Sequence, residues 1–378
     1  MSSDEELDRR TFVGGAAGAG LVGAAGCLGG GPADEGAQTT TGDDGADEET
    51  ATVTATEGET TNVGMVYALG GLGDKSFNDA ARRGVVRAEE ELGISFNQVQ
   101  PSAAEEFSQF QRRFAQSTDP NYDLVCCIGF AQQSALQSVS GEFPDQRFML
   151  ADAVVDRDNV ANYTFREHEG SFQIGHMAGL LTTRSFSAGA GSTQSDSTNV
   201  GFVGGVDAPL IRKFQAGFEA GVAHADEDVD VQVSYTGSFS DTQAGKEAAL
   251  SMYQSGADIV YHAAGATGLG VFQAAAEEGR FAVGVDSDQS QTEPSYADVI
   301  LASMVKRVDT AVFEAIQSQV EANFDGGSVV SLGLEQNGVE AVYGESLGGE
   351  IPDDVKSALE GSREEIIAGD IEVPTEPN

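Results

Sequence analysis

The stretch Val63–Asp79, VGMVYALGGLGDKSFND, does most to limit what this chain can fold into. An apolar run through Val63, Met65, Val66 and Tyr67 stops at Gly70, Gly71 and Gly73, and a helix restarts with Ala80, Ala81, Val85 and Ala88 on one face. A strand, a glycine-rich turn and a helix in that order open a βαβ unit. In an open parallel sheet the ligand lies beyond the carboxyl ends of the strands, which puts Asp74, Lys75, Ser76, Phe77 and Asn78 where binding happens. The same residues also read as an ordinary helix start, with Asp74 or Ser76 as the cap, Asn78 and Asp79 at the positive end of the dipole, and Phe77 in the core.

The alternation continues along the chain. Strands are expected at 62–68, 122–128, 147–151, 199–203, 229–236, 259–263 and 281–285, and helices at 79–92, 105–116, 131–143, 170–183, 210–224, 242–255 and 268–278. One series ends near Tyr163 and a second restarts at Asn199, with the glycine- and serine-rich loop 189–197 between them. The restart, VGFVGG at Val200–Gly205 followed by a helix from Leu210, repeats the logic of the opening. The expected fold class is therefore α/β, with two lobes, each a doubly wound parallel sheet, joined by crossing strands and closing on a ligand by a hinge. Beyond Asp298 come a strand at 299–304, a helix at 309–322, an apolar segment at 328–334, and a surface helix at 353–368 before a polar tail.

Charge narrows the function. Lys and Arg number 20 against 61 Asp and Glu, a formal net charge of −41, so nucleic acid and anionic lipid would be repelled. The acid is spread along the chain, as in proteins kept soluble at very high salt, and an extreme halophile is the expected source. Cys126 and Cys127 adjoin within an apolar run, and neighbouring strand residues face opposite sides, so they read as small buried hydrophobes without a disulfide. The four histidines, His168, His176, His224 and His262, have no metal-ligand spacing, and no metal or cofactor is expected. GATGLG at Gly265–Gly270 lacks the Gly-Lys-Ser/Thr ending of a phosphate loop.

Residues 1–27 read as an address. Asp8-Arg9-Arg10-Thr11-Phe12-Val13 matches a twin-arginine export signal, and the small-residue apolar run from Phe12 closes on Ala24-Ala25-Gly26-Cys27, which resembles a lipoprotein cleavage box with Cys27 lipidated. An uncleaved anchor helix is the alternative. Residues 28–61 hold Leu28 and Val53 as their large apolar side chains, too few to offset the entropy of ordering, and read as an acidic tether.

Several strand ends carry residues suited to a ligand. In the first half these are Gly129-Phe130-Ala131-Gln132 and Asp152, although Asp152 also suits a turn cap. In the second half glycine recurs at Gly204-Gly205, Gly237, Gly265 with Gly268, and Gly284, with carboxylates at Asp241, Asp286 and Asp288. Glycine admits close backbone approach, and carboxylates accept hydrogen bonds from hydroxyls. Lys306 pairs with Asp286 or Asp309, or touches the ligand.

GDKSFND after the first strand, FREHEGSF at Phe165–Phe172, VGFVGG, GSFSD at Gly237–Asp241, AAGATGLG at Ala263–Gly270, GVDSDQ at Gly284–Gln289 and SMVKRVD at Ser303–Asp309 together resemble the basic membrane protein family of solute-binding lipoproteins. The resemblance covers nearly all of 62–345 and implies a type I periplasmic-binding-protein fold. It divides the chain into the signal at 1–27, the tether at 28–61, an N-terminal lobe of 62–163 plus about 305–328, and a C-terminal lobe of 164–304 plus about 329–378. It further implies a nucleoside, in first place a purine nucleoside, with Phe77 and Phe239 stacking on the base, Asn78 and Asp152 at the base edge, and Gly265 or Gly268, Asp286 and Lys306 at the ribose. Asp74 and Phe130 complete the expected binding set. The implied partners are an ABC permease with its ATPase subunits and the membrane, through a lipid anchor on its outer face. A sensor for another small solute, and a nucleoside hydrolase using Asp286 and Asp288, are the competing readings.

Overall fold

The structure is a computed structural model and describes residues 60–194 and 198–377. The export signal, Cys27 and nearly all of the tether lie outside these residues, as do 195–197 of the Gly/Ser loop and Asn378.

The first series runs β1 (Asn62–Val66), α1 (Phe77–Leu92), β2 (Ser95–Val99), α2 (Phe107–Ala115), β3 (Leu124–Cys127), α3 (Gln133–Glu142), β4 (Arg147–Ala151) and β5 (Val160–Phe165). A helix α4 (Glu167–Thr182) and a small hairpin, β6 (Ser187–Ala188) with β7 (Gly191–Ser192), lead into the second series. That series is β8 (Asn199–Gly204), α5 (Pro209–Ala225), β9 (Asp230–Tyr235), α6 (Thr242–Gln254), β10 (Ala257–Ala263), α7 (Leu269–Glu278), β11 (Phe281–Asp286), the short α8 (Gln289–Thr292) and β12 (Ile300–Lys306). The chain ends with α9 (Val308–Val320), β13 (Val329–Leu332), β14 (Val339–Tyr343) and α10 (Asp353–Ala368).

Two six-stranded sheets result, one per lobe. The first is ordered β2-β1-β3-β4-β5-β13 and the second β9-β8-β10-β11-β12-β14, so the two lobes share one winding. The strand pairs are parallel except β14, which runs antiparallel to β12. In each sheet the order reverses at the first strand, and the crevice of an open α/β sheet forms there. Cys126 and Cys127 lie on opposite faces of β3, in separate apolar clusters, as their adjacency requires. Burial pushes both thiols above their ordinary range.

The lobe boundary differs from the expectation at one strand. Val329–Leu332 belongs to the first sheet, pairing in parallel with Asn162–Phe165, whereas the sequence reading gave the second lobe everything from about 329. The apolar edge of β5 needs a partner, and α9 has already returned the chain to the first lobe. The backbone therefore crosses between lobes three times, and the crossings are bonded together. Arg166 N–H donates to Leu332 O and Arg307 N–H to Gly338 O, both at 2.9 Å, while Glu169 Oε2 accepts from Leu334 N–H at 2.9 Å.

Helix α4 is buried almost along its whole length and packs on α5 through glycine. A Cβ at Gly175 would strike Phe218 O, at Gly217 His168 O, and at Gly221 Phe172 O. These obstacles are backbone and cannot rotate away. Gly221→Ala is expected to lower stability by about 3 kcal/mol, at the upper end of ordinary overpacking, read as a drop in the urea midpoint at fixed salt. An unchanged midpoint would mean the helices slide apart at no cost.

Candidate functional site

The cleft between the lobes is lined from strand ends on both sides. The first lobe supplies Ala68, Leu69, Asp74, Phe77, Asn78, Gly129, Phe130, Ala131 and Asp152. The second supplies Leu210, Ile211, Phe214, Phe239, Ala263, Ala264, Gly265, Val285 and Asp286, with Lys306 at the crossing. The residues following β1 and β3, and those ending β10, are the switch points of the two sheets, so the shared strand order puts both walls in one place.

The glycine turn opens this site. Helix α1 starts at Phe77 because the Asp74 carboxylate accepts the amides of Ser76, Asn78 and Asp79 at 3.0, 2.8 and 3.1 Å. Asp74 thus caps the helix from the pocket wall, and burial pushes its pKa up against those three bonds. The Asn78 side chain closes the turn on β1, accepting from Ala68 N–H at 2.9 Å. Ser76 is freed from capping, and its hydroxyl reaches the other lobe to donate to Asp286 Oδ2 at 2.5 Å.

Lys75, Asp152 and Asp286 hold φ of 55°, 69° and 63°. A non-glycine residue in the left-handed region costs of order 1 kcal/mol or more, and such residues cluster at ligand sites. Asp152 and Asp286 end the equivalent strands β4 and β11 of the two lobes, so one backbone device turns a carboxylate into the cleft from each side.

Lys306 does not pair with Asp286 or Asp309 as its first partners. Its Nζ lies 2.6 Å from Asp152 Oδ1 and 3.0 Å from Glu167 Oε1, while Asp309 sits 4.0 Å from Arg83. Glu167 also receives Lys213 Nζ at 2.7 Å, and Lys213 donates to Phe165 O at 2.9 Å. The chain Asp152, Lys306, Glu167, Lys213 therefore runs from the first lobe through the crossing to the second, and the side chains of all but Lys213 are buried. Burial works against the charges, but the carboxylates hold Lys306 above the usual ammonium range, and the two lysines hold Glu167 below the usual carboxylate range. The ammonium also lies over the rings of Phe165 and Phe77, 4.8 and 5.0 Å from their centroids.

Burial pushes the Asp286 carboxyl up to about 7, with Lys306 and Ser76 pulling the other way. The folded chain then holds a proton that the unfolded chain, with its ordinary carboxylate, gives up near pH 4. The stability from this proton is present at low pH and is lost as pH rises through about 7. Asp286→Asn should accordingly gain stability relative to the natural chain between pH 4.5 and 7.5, measured by urea unfolding without ligand at fixed salt. A constant difference would mean that the carboxyl ionises normally.

Of the expected site residues, Asp74, Phe77, Asn78, Phe130, Asp152, Phe239, Gly265, Asp286 and Lys306 come together on this wall. Gly268 does not. A Cβ there would enter the His262 ring, so it is a packing glycine beneath the site. Gly270 has the same use against α6, where a Cβ would strike Thr242 O, which accounts for the glycine-rich GATGLG without a phosphate. Asp288 does not converge with Asp286 either. It caps α8, accepting from Ser290 N–H and Oγ and from Gln291 Nε2. Glu167, Lys213 and Phe214 were missed. Glu167 follows the crossing strand by two residues inside FREHEGSF, and a carboxylate that close to a strand end was the available signal.

Two α/β lobes of equal winding with an aromatic and carboxylate-lined cleft between them define a bilobed solute-binding protein. A family model described as ABC transporter substrate-binding protein, PnrA-like, matches residues 61–376, and the chain belongs to that family, the basic membrane proteins. Similar proteins include a lipoprotein of Pyrococcus abyssi, 34% identical over 75% of this chain and 69% of its own. Another is the CD4+ T-cell-stimulating antigen of Listeria monocytogenes, 32% identical over 83% and 88%. A solved solute-binding protein of an ABC transporter system from Aeropyrum pernix is 30% identical, covers 84% of this chain and 94% of its own, and superposes with a TM-score of 0.73.

Proposed function

We propose that this chain is the lipid-anchored receptor of an ABC importer and that it captures a nucleoside, a purine nucleoside first. The observation that carries the ligand is the pairing of Phe77 and Phe239, from opposite lobes, in one pocket whose polar end holds Asp286 and Lys306. A purine is flat and polarizable, and each aromatic face contributes about 1 kcal/mol beyond the area it buries. Carboxylates suit the paired hydroxyls of a ribose. Asp286 and Gly265 take the ribose, with Lys306 as an added donor, while Asn78 and Asp152 meet the base edge. Closure completes these contacts, and the closed form passes the solute to the permease and its ATPase subunits. Relatives in Pyrococcus are named lipoproteins, which supports lipidation of Cys27 and a place on the outer face of the membrane.

The test is calorimetry in molar salt, which the net charge of −41 calls for, on protein stripped of bound solute by unfolding and refolding. Purine and pyrimidine nucleosides, free bases and ribose are titrated in turn. Submicromolar binding of inosine, guanosine or adenosine, with free ribose and bases much weaker, is expected. A folded protein that binds none of them leaves the family and removes the ligand.

A further inference from the structure

Closure of this cleft involves groups that do not line the pocket. Lys75 O, exposed on the left-handed residue of the glycine turn, accepts from Gln289 Nε2 at 3.2 Å and from Thr292 Oγ1 at 3.3 Å, both of the second lobe. Beside them Ser287 Oγ donates to Ser76 O at 3.4 Å and accepts from Arg83 Nη2 at 2.9 Å. The donor on Gln289 is fixed by its surroundings. Its Oε1 accepts from Val285 N–H at 2.8 Å and lies 2.9 Å from His262 Nε2, so the amide nitrogen must point at Lys75. His262 is fully buried, its Nδ1 has no partner, and burial holds its pKa down at about 4, so its proton sits on Nε2 and donates to Gln289. The Gln289 backbone N–H donates to buried Ser303 Oγ at 3.0 Å. Gln289 is therefore held rigidly by its own lobe and offers one bond to the other.

We propose that Ser287–Thr292 is a latch that grips the Lys75–Ser76 backbone, and that Gln289 is a positioning residue for solute capture, acting on the closed conformation and touching no ligand. The inference rests on the receptor reading of the cleft and is independent of which solute binds. A bond made only when the lobes meet adds to the closing equilibrium, so its loss weakens every ligand by the same factor. One neutral hydrogen bond corresponds to about a fivefold change. A pocket contact would instead change the ranking of ligands.

The test uses the full chain carrying Gln289→Glu, which keeps the two acceptor bonds and turns the donor into an oxygen facing Lys75 O. Thr292→Val, which removes one exposed hydroxyl bond, is the second variant and decides the matter if the first does not fold. Without ligand, hydrogen exchange in the peptide spanning 70–79 should quicken several-fold while peptides from the strands of both sheets stay unchanged. Affinity for each nucleoside should fall about fivefold through faster dissociation, with the ranking kept. Unchanged exchange at 70–79 in the folded variants, or a changed ranking, overturns the latch. If no nucleoside binds at all, the exchange result still stands and only the nucleoside reading falls.

Discussion

Lys306→Met should cost the fold about 3–5 kcal/mol, because it leaves Asp152 and Glu167 buried without their shared cation. Neither Asp152 Oδ1 nor Glu167 Oε1 accepts a hydrogen bond from another described group; Glu167 keeps Lys213 at 2.7 Å on its other oxygen, so the loss falls on Asp152, which has no second cation in contact among the described residues. High salt will not rescue the variant, since ions screen buried charges poorly. Urea unfolding at constant molar salt measures the loss. Adding Asp152→Asn to Lys306→Met should recover much of it, because a neutral amide is far less costly to bury than a bare carboxylate, while Glu167 keeps Lys213. A single variant as stable as the natural chain would show that one of the carboxyls is already protonated and that the lysine is not needed to balance it.

The other large effect concerns the aromatic pair. Phe77→Ala and Phe239→Ala should each weaken purine-nucleoside binding on the order of 100-fold, as the contact area and the stacking term disappear together. Both rings are only partly buried, so the fold should survive. Calorimetry on the two variants and the natural chain reads the loss directly. A much smaller drop for Phe239 would move the base away from the second lobe and leave Phe77 as a one-sided platform.

The winding of both lobes was legible because each unit repeats an apolar run, a glycine break and a helical stripe. The helices fell within a few residues of expectation, α1 starting earlier because Asp74 caps it from three residues upstream. The hairpin strands Ser187–Ala188 and Gly191–Ser192 and the late strand Val339–Tyr343 escaped notice, as did two strands of the first sheet that share a cause. Ser95–Val99 is a sheet edge with Ser95, Asn97 and Gln98 exposed, and Val160–Phe165 carries a buried Asn162 that accepts from Val155 N–H at 2.8 Å. Neither reads as an apolar run. At the site, residue types at strand ends pointed to side chains that the fold gathers in one cleft, while their partners were not legible. That Lys306 would meet Asp152 and Glu167 depends on three segments distant in sequence, and that Gly268 packs on His262 depends on a contact no local pattern encodes.

The three crossings have a consequence for how the protein is made. The first lobe is unfinished until Val329–Leu332 has joined β5, and the second until Val339–Tyr343 has joined β12. Neither half can complete its sheet on the ribosome while the rest is being synthesised, as a bead-on-string protein can. Nascent chains will expose the unpaired edge of β5 from its synthesis until Val329–Leu332 emerges, and that of β12 more briefly until Val339–Tyr343 follows, and dense surface acid that keeps unfinished chains apart would serve them before it serves the native state.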